Sequence, residues 1–156
     1  MRVVICGGGV AGSAAALLLE RRGHDVTVFE RDRASAPRDV AGAWQDWQRP
    51  GVGQFRQFHG FTAQARKVLA QDLPDVHADL LEAGVTERPM SHRIGMLFPD
   101  STPEESDAEI VGLRGRRTTF EWVLRRALER SGVTIRLGTP VDGVVRTGRG
   151  VGGVRC

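Results

Sequence analysis

The chain has 156 residues, 40% of them hydrophobic and 26% charged, with a formal net charge of +3, the length and balance of one soluble globular domain with its own core. No apolar stretch approaches the roughly 18 residues of a membrane span, and the basic residues, nearly all arginine with Lys67 the single lysine, are interspersed with 19 acids. Neither a membrane span nor nucleic-acid binding is therefore expected, and because Met1 leads straight into an apolar run, without room for a signal or transit peptide, the expected compartment is the cytoplasm.

The first thirty residues carry the strongest pattern. Arg2-Val3-Val4-Ile5-Cys6 is a short, β-branched strand that breaks into Gly7-Gly8-Gly9-Val10-Ala11-Gly12. A helix from Ser13 to Arg22 follows, closed by Gly23 as a left-handed cap. A second strand, Val26-Thr27-Val28-Phe29, ends on Glu30. Strand, glycine turn, helix, strand and acid make a βαβ dinucleotide-binding fingerprint. Gly7 permits the sharp turn, Gly9 lets a pyrophosphate approach the backbone, and Gly12 lets the helix pack close to the strand. The helix start offers free N–H groups and the positive end of its dipole to phosphates. Glu30 is placed to accept both ribose hydroxyls and to disfavour a 2′-phosphate.

From Arg31 to Gly60 the pattern is irregular, a long loop of the kind that is functional or mobile. Helical spacing resumes from Phe61 to Leu73, with Phe61, Ala65, Val68, Leu69 and Leu73 as its apolar face. Pro74 opens a helix over Asp75 to Ala83 that Gly84 ends. Ile94 to Phe98 reads as a strand, Pro99 to Asp107 as an acidic loop, and Glu109 to Leu113 as a strand pairing near the previous one. Thr118 to Arg130 is a helix with Phe120, Val123, Leu124, Ala127 and Leu128 as its buried stripe. Val133 to Leu137 is a third strand of the parallel type. Val141 to Arg146 and Val151 to Arg155 flank Thr147-Gly148-Arg149-Gly150, a hairpin signal. Cys6, in a buried first strand, and Cys156, the last residue, suggest neither a disulfide framework nor a zinc site. His24, His77 and His92 show no ligand spacing, so no metal is expected.

Four stretches resemble the N-terminal part of FAD-dependent monooxygenases and related oxidoreductases of the para-hydroxybenzoate hydroxylase-like family. They are Gly7 to Glu30, with seventeen residues between Gly12 and Glu30; Arg49-Pro50-Gly51-Val52-Gly53-Gln54-Phe55-Arg56-Gln57-Phe58-His59; Arg116-Arg117-Thr118-Thr119-Phe120-Glu121-Trp122-Val123-Leu124; and Gly132 through Val141. The resemblance implies an α/β, Rossmann-like (GR2-type) FAD-binding domain over residues 1–156, incomplete, with an inserted start of a substrate-domain β-sheet at 88–114. It implies an enzyme that uses FAD, with NAD(P)H as co-substrate and O2, to hydroxylate a small organic substrate. The family's later D-G and G-D segments have no counterpart here, since Asp142-Gly143 lies too early, in a hairpin. A C-terminal half encoded separately or lost is the partner this implies. Two other readings stay open: a truncated, non-catalytic nucleotide-binding module or fragment, and an NAD-dependent dehydrogenase, because Glu30 serves NAD as well as FAD.

By position, the resemblance implies that Gly7, Gly9, Val10, Ala11 and Gly12 offer backbone to the pyrophosphate and Glu30 binds the ribose. Arg31 lies along the adenine, Arg38 near the flavin, Arg117 at the FAD ribose or phosphate, and Val141 contacts adenine through its backbone. No residue is assigned as catalytic. His59 invites that role, and the plainer reading makes it a packing residue at a helix start. In the doubly wound order the first strand would keep one open edge.

Overall fold

The computed structural model describes residues 1–89, 98–100, 102, 104–148 and 150–156. Its elements in chain order are β1 (Arg2–Cys6), α1 (Val10–Arg21), β2 (Asp25–Glu30), α2 (Val40–Gln45), β3 (Phe58–Phe61), α3 (Ala63–Asp72), α4 (Pro74–Glu82), β4 (Thr86–Pro89), a 3-10 turn (Glu105–Glu109), β5 (Val111–Arg116), α5 (Arg117–Arg130), β6 (Thr134–Leu137), β7 (Gly143–Thr147) and β8 (Gly150–Arg155).

The first sheet is parallel, in the order β1-β2-β6. Its middle strand, β2, buries Val26 and Val28 on one face. Helix α1 lays Ala16 and Leu17 on that side, and α5 adds Phe120, Val123, Leu124, Ala127 and Leu128, each at most 5% exposed. The stripe expected on α5 is thus the spine of the core, and its removal from water is what holds the helix to the sheet. Leu73, Val76 and Leu80, around the start of α4, close the same cluster. Gly23 and Gly84 end α1 and α4 with positive φ, as expected of glycine caps.

Cys6 departs from expectation. Arg2, Val4 and Cys6 alternate to the exposed side of β1, and β1 pairs with β2 alone among the described residues. An edge strand at the end of the sheet leaves its terminal thiol in solvent; both cysteines are free and exposed.

A second sheet is antiparallel, in the order β3-β5-β4. Here Phe58–Phe61 is a strand, and the expected helix begins only at Ala63, because the Thr62 hydroxyl accepts from Ala65 N–H as an N-cap. The strand expected at Glu109 begins at Val111, since Glu104 and Asp107 cap the 3-10 turn before it. It pairs with β3 and β4; residues 94–97 of the strand expected at Ile94 to Phe98 lie outside the described residues.

The segment expected to be irregular has a small core of its own. Asp39 caps α2 through Gly42 N–H at 2.7 Å, and Ala43, Trp47 and Phe55 are buried together against Trp122 of α5. The hairpin β7–β8 forms as expected, with a register shift between Val145 and Arg146. Among the described residues no helix is long and apolar enough to cross a membrane.

Candidate functional site

Two glycines with opposite surroundings shape the turn between β1 and α1. Gly7 has φ of +103° and donates its N–H to Phe29 O at 2.7 Å, which ties the turn to β2. A β-carbon on Gly12 would lie 1.9 Å from Gly7 O, so only glycine permits this seat for the helix. A β-carbon on Gly9 would meet nothing within 4 Å. Gly9 is the N-cap of α1, no side chain caps the helix there, and its first turn carries no acid. The helix start therefore presents uncompensated N–H donors to open space, the arrangement that binds anions.

Behind the turn lies a buried charge cluster. Glu30, 4% exposed, accepts through Oε2 from Gly8 N–H and from Arg49 Nη2, both at 2.7 Å, and through Oε1 from Asp32 N–H at 2.9 Å. Arg49 also donates through Nε to Asp32 at 2.8 Å and through Nη1 to Glu121 at 2.7 Å. Glu121 is the i+4 partner of Arg117, whose Nε donates at 2.7 Å. Arg125 is buried beneath Gly8; its Nη2 lies 3.4 Å from Gly8 O, while its Nε and Nη1 have no hydrogen-bond partner among the described residues. Burial and the neighbouring Arg49 charge push the Arg125 guanidinium down from its usual value. Three guanidinium groups thus stand among three carboxylates, the condition for keeping such charges out of water.

Two clefts flank the turn. The first, about 440 Å³, is lined by Cys6, Gly7, Gly9, Glu30, Arg31 and Val141 among others, with Arg49, Gly51 and Val52 as one wall. The second, about 520 Å³ and mainly apolar, lies between α1, α3 and α5 and is lined by Val10, Ala11, Val68, Leu69, Arg117 and Phe120, among others. The structure thus brings Gly7, Gly9, Glu30, Arg31 and Val141 to one cleft and Val10, Ala11 and Arg117 to the other. Gly12 lies beneath the turn and lines neither. Arg38 is exposed beside the N-cap of α2 and also lines neither. The Arg31 side chain covers Gly51 and donates to its carbonyl at 2.8 Å. His59 sits on β3, not at a helix start; its Nε2 is 3.3 Å from Arg117 Nη1, and burial together with that guanidinium holds its pKa below the usual 6.5.

Residues 2–122 match the family model of the FAD dependent oxidoreductases. The chain belongs to that family.

Solved structures similar to this chain match it at low identity. PqsL of P. aeruginosa, solved in complex with 2-aminobenzoylacetate, superposes with a TM-score of 0.64 at 15% identity, over 99% of this chain and 39% of that one. The 2-methyl-3-hydroxypyridine-5-carboxylic acid oxygenase gives 0.60 at 19%, over 98% and 37%. The Diels-Alderase PyrE3 of pyrroindomycin biosynthesis gives 0.60 at 20%, over 96% and 28%. These likenesses establish an α/β, Rossmann-like FAD-binding fold. The chain spans about two fifths of PqsL and of the oxygenase.

Sequence reasoning missed Arg49, Asp32, Glu121 and Arg125. Arg49 and Glu121 are 72 positions apart, and no local period links them. The available signal was on α5, where Glu121 and Arg125 stand i,i+4 next to a stripe that buries them.

Proposed function

We propose that this chain forms the adenosine-diphosphate-binding part of the FAD site in a flavin-dependent monooxygenase or oxidoreductase. That enzyme hydroxylates a small organic substrate with NAD(P)H and O2 in the cytoplasm. The observation that carries the reading is the pairing of a filled glycine with an open one: Gly12 is packed against Gly7 O, while Gly9 faces empty space at the head of an uncapped helix. A group that needs bare backbone and free N–H donors fits there, and a diphosphate is such a group.

In this reading Gly7, Gly9, Val10, Ala11 and Gly12 form the diphosphate seat, and Glu30 accepts a ribose hydroxyl through the free acceptor site of its Oε1. Val141 and Arg31 border the adenine in the first cleft. Arg117 reaches the remainder of the cofactor from the second cleft. Arg38 lies away from both clefts and is assigned no contact with the adenosine end. When bound, the flavin supplies the redox chemistry; the residues here hold it, orient it and exclude water from its adenosine end. Residues 1–156 then form part of an FAD/NAD(P)-binding domain, and segment 88–114, with parts of β4 and β5, begins the substrate-domain sheet. A C-terminal half completes the flavin pocket.

The test is titration of the purified 156-residue chain with ADP and FAD, followed by calorimetry and flavin absorbance. The expected result is weak binding of both and no NAD(P)H oxidation by the chain alone. Absence of any ADP or FAD binding at millimolar ligand removes the proposal. NADPH oxidation by the isolated chain overturns the need for a C-terminal half.

A further inference from the structure

Arg49 uses every edge of its guanidinium on a carboxylate: Nε on Asp32, Nη1 on Glu121 and Nη2 on Glu30, at 2.7–2.8 Å, with a side chain 2% exposed. A planar fork held at three points cannot rotate or translate without breaking a buried ion pair. Its partners come from the end of β2 and from α5, so it registers the cofactor-facing strand against the helix behind it.

The consequence falls on Glu30. Its Oε2 is taken by Gly8 N–H and Arg49, and its Oε1, among the described residues, by Asp32 N–H alone. A carboxylate oxygen has two acceptor sites, so Oε1 keeps one for a ligand. The carboxylate and the Arg125 guanidinium pack directly against the bare backbone of Gly8, where an added β-carbon would lie 3.3 Å from Glu30 Oε2 and 3.2 Å from Arg125 Nη2. Asp32 also borders the first cleft, whereas Glu121 borders neither cleft.

We infer that Arg49 is the positioning residue for ribose recognition in this site: it fixes the Glu30 carboxylate in one orientation at the first cleft and cancels the repulsion among the acids that converge there. A lysine cannot replace it, since a single ammonium does not present three directed donors in a plane. The inference rests on the proposed role of Glu30 as the ribose acceptor. The plainer alternative is that Arg49 only staples the 31–60 segment to α5, and the two differ in what they do to ligand selectivity.

The experiment compares ADP with 2′,3′-dideoxy-ADP on the 156-residue chain and on Glu30→Gln, Arg49→Lys and Glu121→Gln, with circular dichroism to verify folding. The parent is expected to prefer ADP by about tenfold or more, the scale of hydrogen bonds to a charged group, and Glu30→Gln to lose that preference. Arg49→Lys is expected to fall to within about threefold of no preference, and Glu121→Gln to an intermediate ratio. Glu121 does not border the cleft, so a changed ratio there is transmitted through one of its two partners, Arg49 or Arg117, and an Arg117→Gln control that keeps the parent ratio assigns it to Arg49. Folded Arg49→Lys and Glu121→Gln proteins that keep the parent ratio overturn the inference while leaving Glu30 in place. Unfolding of both variants also overturns it, by making the cluster a requirement of the fold. A parent without preference, or a Glu30→Gln protein that keeps it, defeats the ribose reading itself.

Discussion

The carbonyl oxygen of Gly7 occupies the space where Gly12 would carry a β-carbon, at 1.9 Å. That contact is backbone against backbone, so no side chain can move to relieve it. Gly12→Ala is expected to destabilise the chain by about 1–3 kcal/mol or more, as overpacking does, and to lower Tm by roughly 2–4 °C per kcal/mol at this size. Gly9→Val should behave in the opposite way, melting near the parent and losing ADP. Thermal melts and ADP titrations of the two variants check this. A Gly9→Val protein that binds ADP like the parent removes the diphosphate seat.

Cys6 offers a direct report on the first cleft. It is exposed and lines that cleft, while Cys156 is exposed and does not line it. Saturating ADP is expected to slow alkylation of Cys6 several-fold and leave Cys156 unchanged. Peptide mapping after timed alkylation distinguishes the two sites. Equal protection of both thiols, or of neither, contradicts placement of the adenosine in this cleft.

A pH dependence follows from His59. Its folded pKa lies below the ordinary 6.5, through burial first and Arg117 second. Unfolding therefore takes up protons near neutrality. The stabilising contribution is complete above about pH 6.5 and is lost as pH falls from there through the folded pKa. Melting temperature should decline modestly over that window, and His59→Gln should flatten the decline. The carboxylates of Asp75 and Glu87, held low chiefly by hydrogen bonds from Arg21 and Arg66, add a second loss as pH falls from the usual carboxylate range through their lowered values. An unchanged slope in His59→Gln assigns the effect elsewhere.

The open edge of β1 has a consequence in solution. Val4 is 42% exposed on a strand whose second edge is unpaired among the described residues. Such edges recruit other chains. The 156-residue protein is expected to self-associate, and Val4→Lys to shift it toward monomer, as charged gatekeepers do. Sedimentation velocity at several concentrations reads both. A parent that stays monomeric throughout contradicts the expectation.

Much of this architecture was legible in the chain because its signals are local. The glycine turn, the α5 stripe and the β7–β8 hairpin each declare themselves within a dozen residues or so. Helix α2 did not, because six residues with Gly42 in the middle give little periodicity; Asp39 and the spacing of Trp44 and Trp47 were its only marks. Strand β4 is Thr86-Glu87-Arg88-Pro89, with no apolar alternation to read. It exists because β5 offers it a pairing edge. Glu30 was legible as an acid at the end of a strand, but its company was not. Arg49, Glu121 and Arg125 meet it only once the sheet and α5 are assembled.

Helix α5 is a party wall between two chemistries. Arg117, Phe120 and Leu124 face the apolar cleft, and Glu121 and Arg125 enter the charged cluster one step around the same cylinder. A single inserted residue rotates everything after it by about 100°. Placed after Thr119, it would carry the acid and the arginine away from Arg49 and the leucine away from its cleft in one stroke. A length change in the first turn of this helix therefore breaks two sites at once, whereas an exchange of one side chain there touches only one.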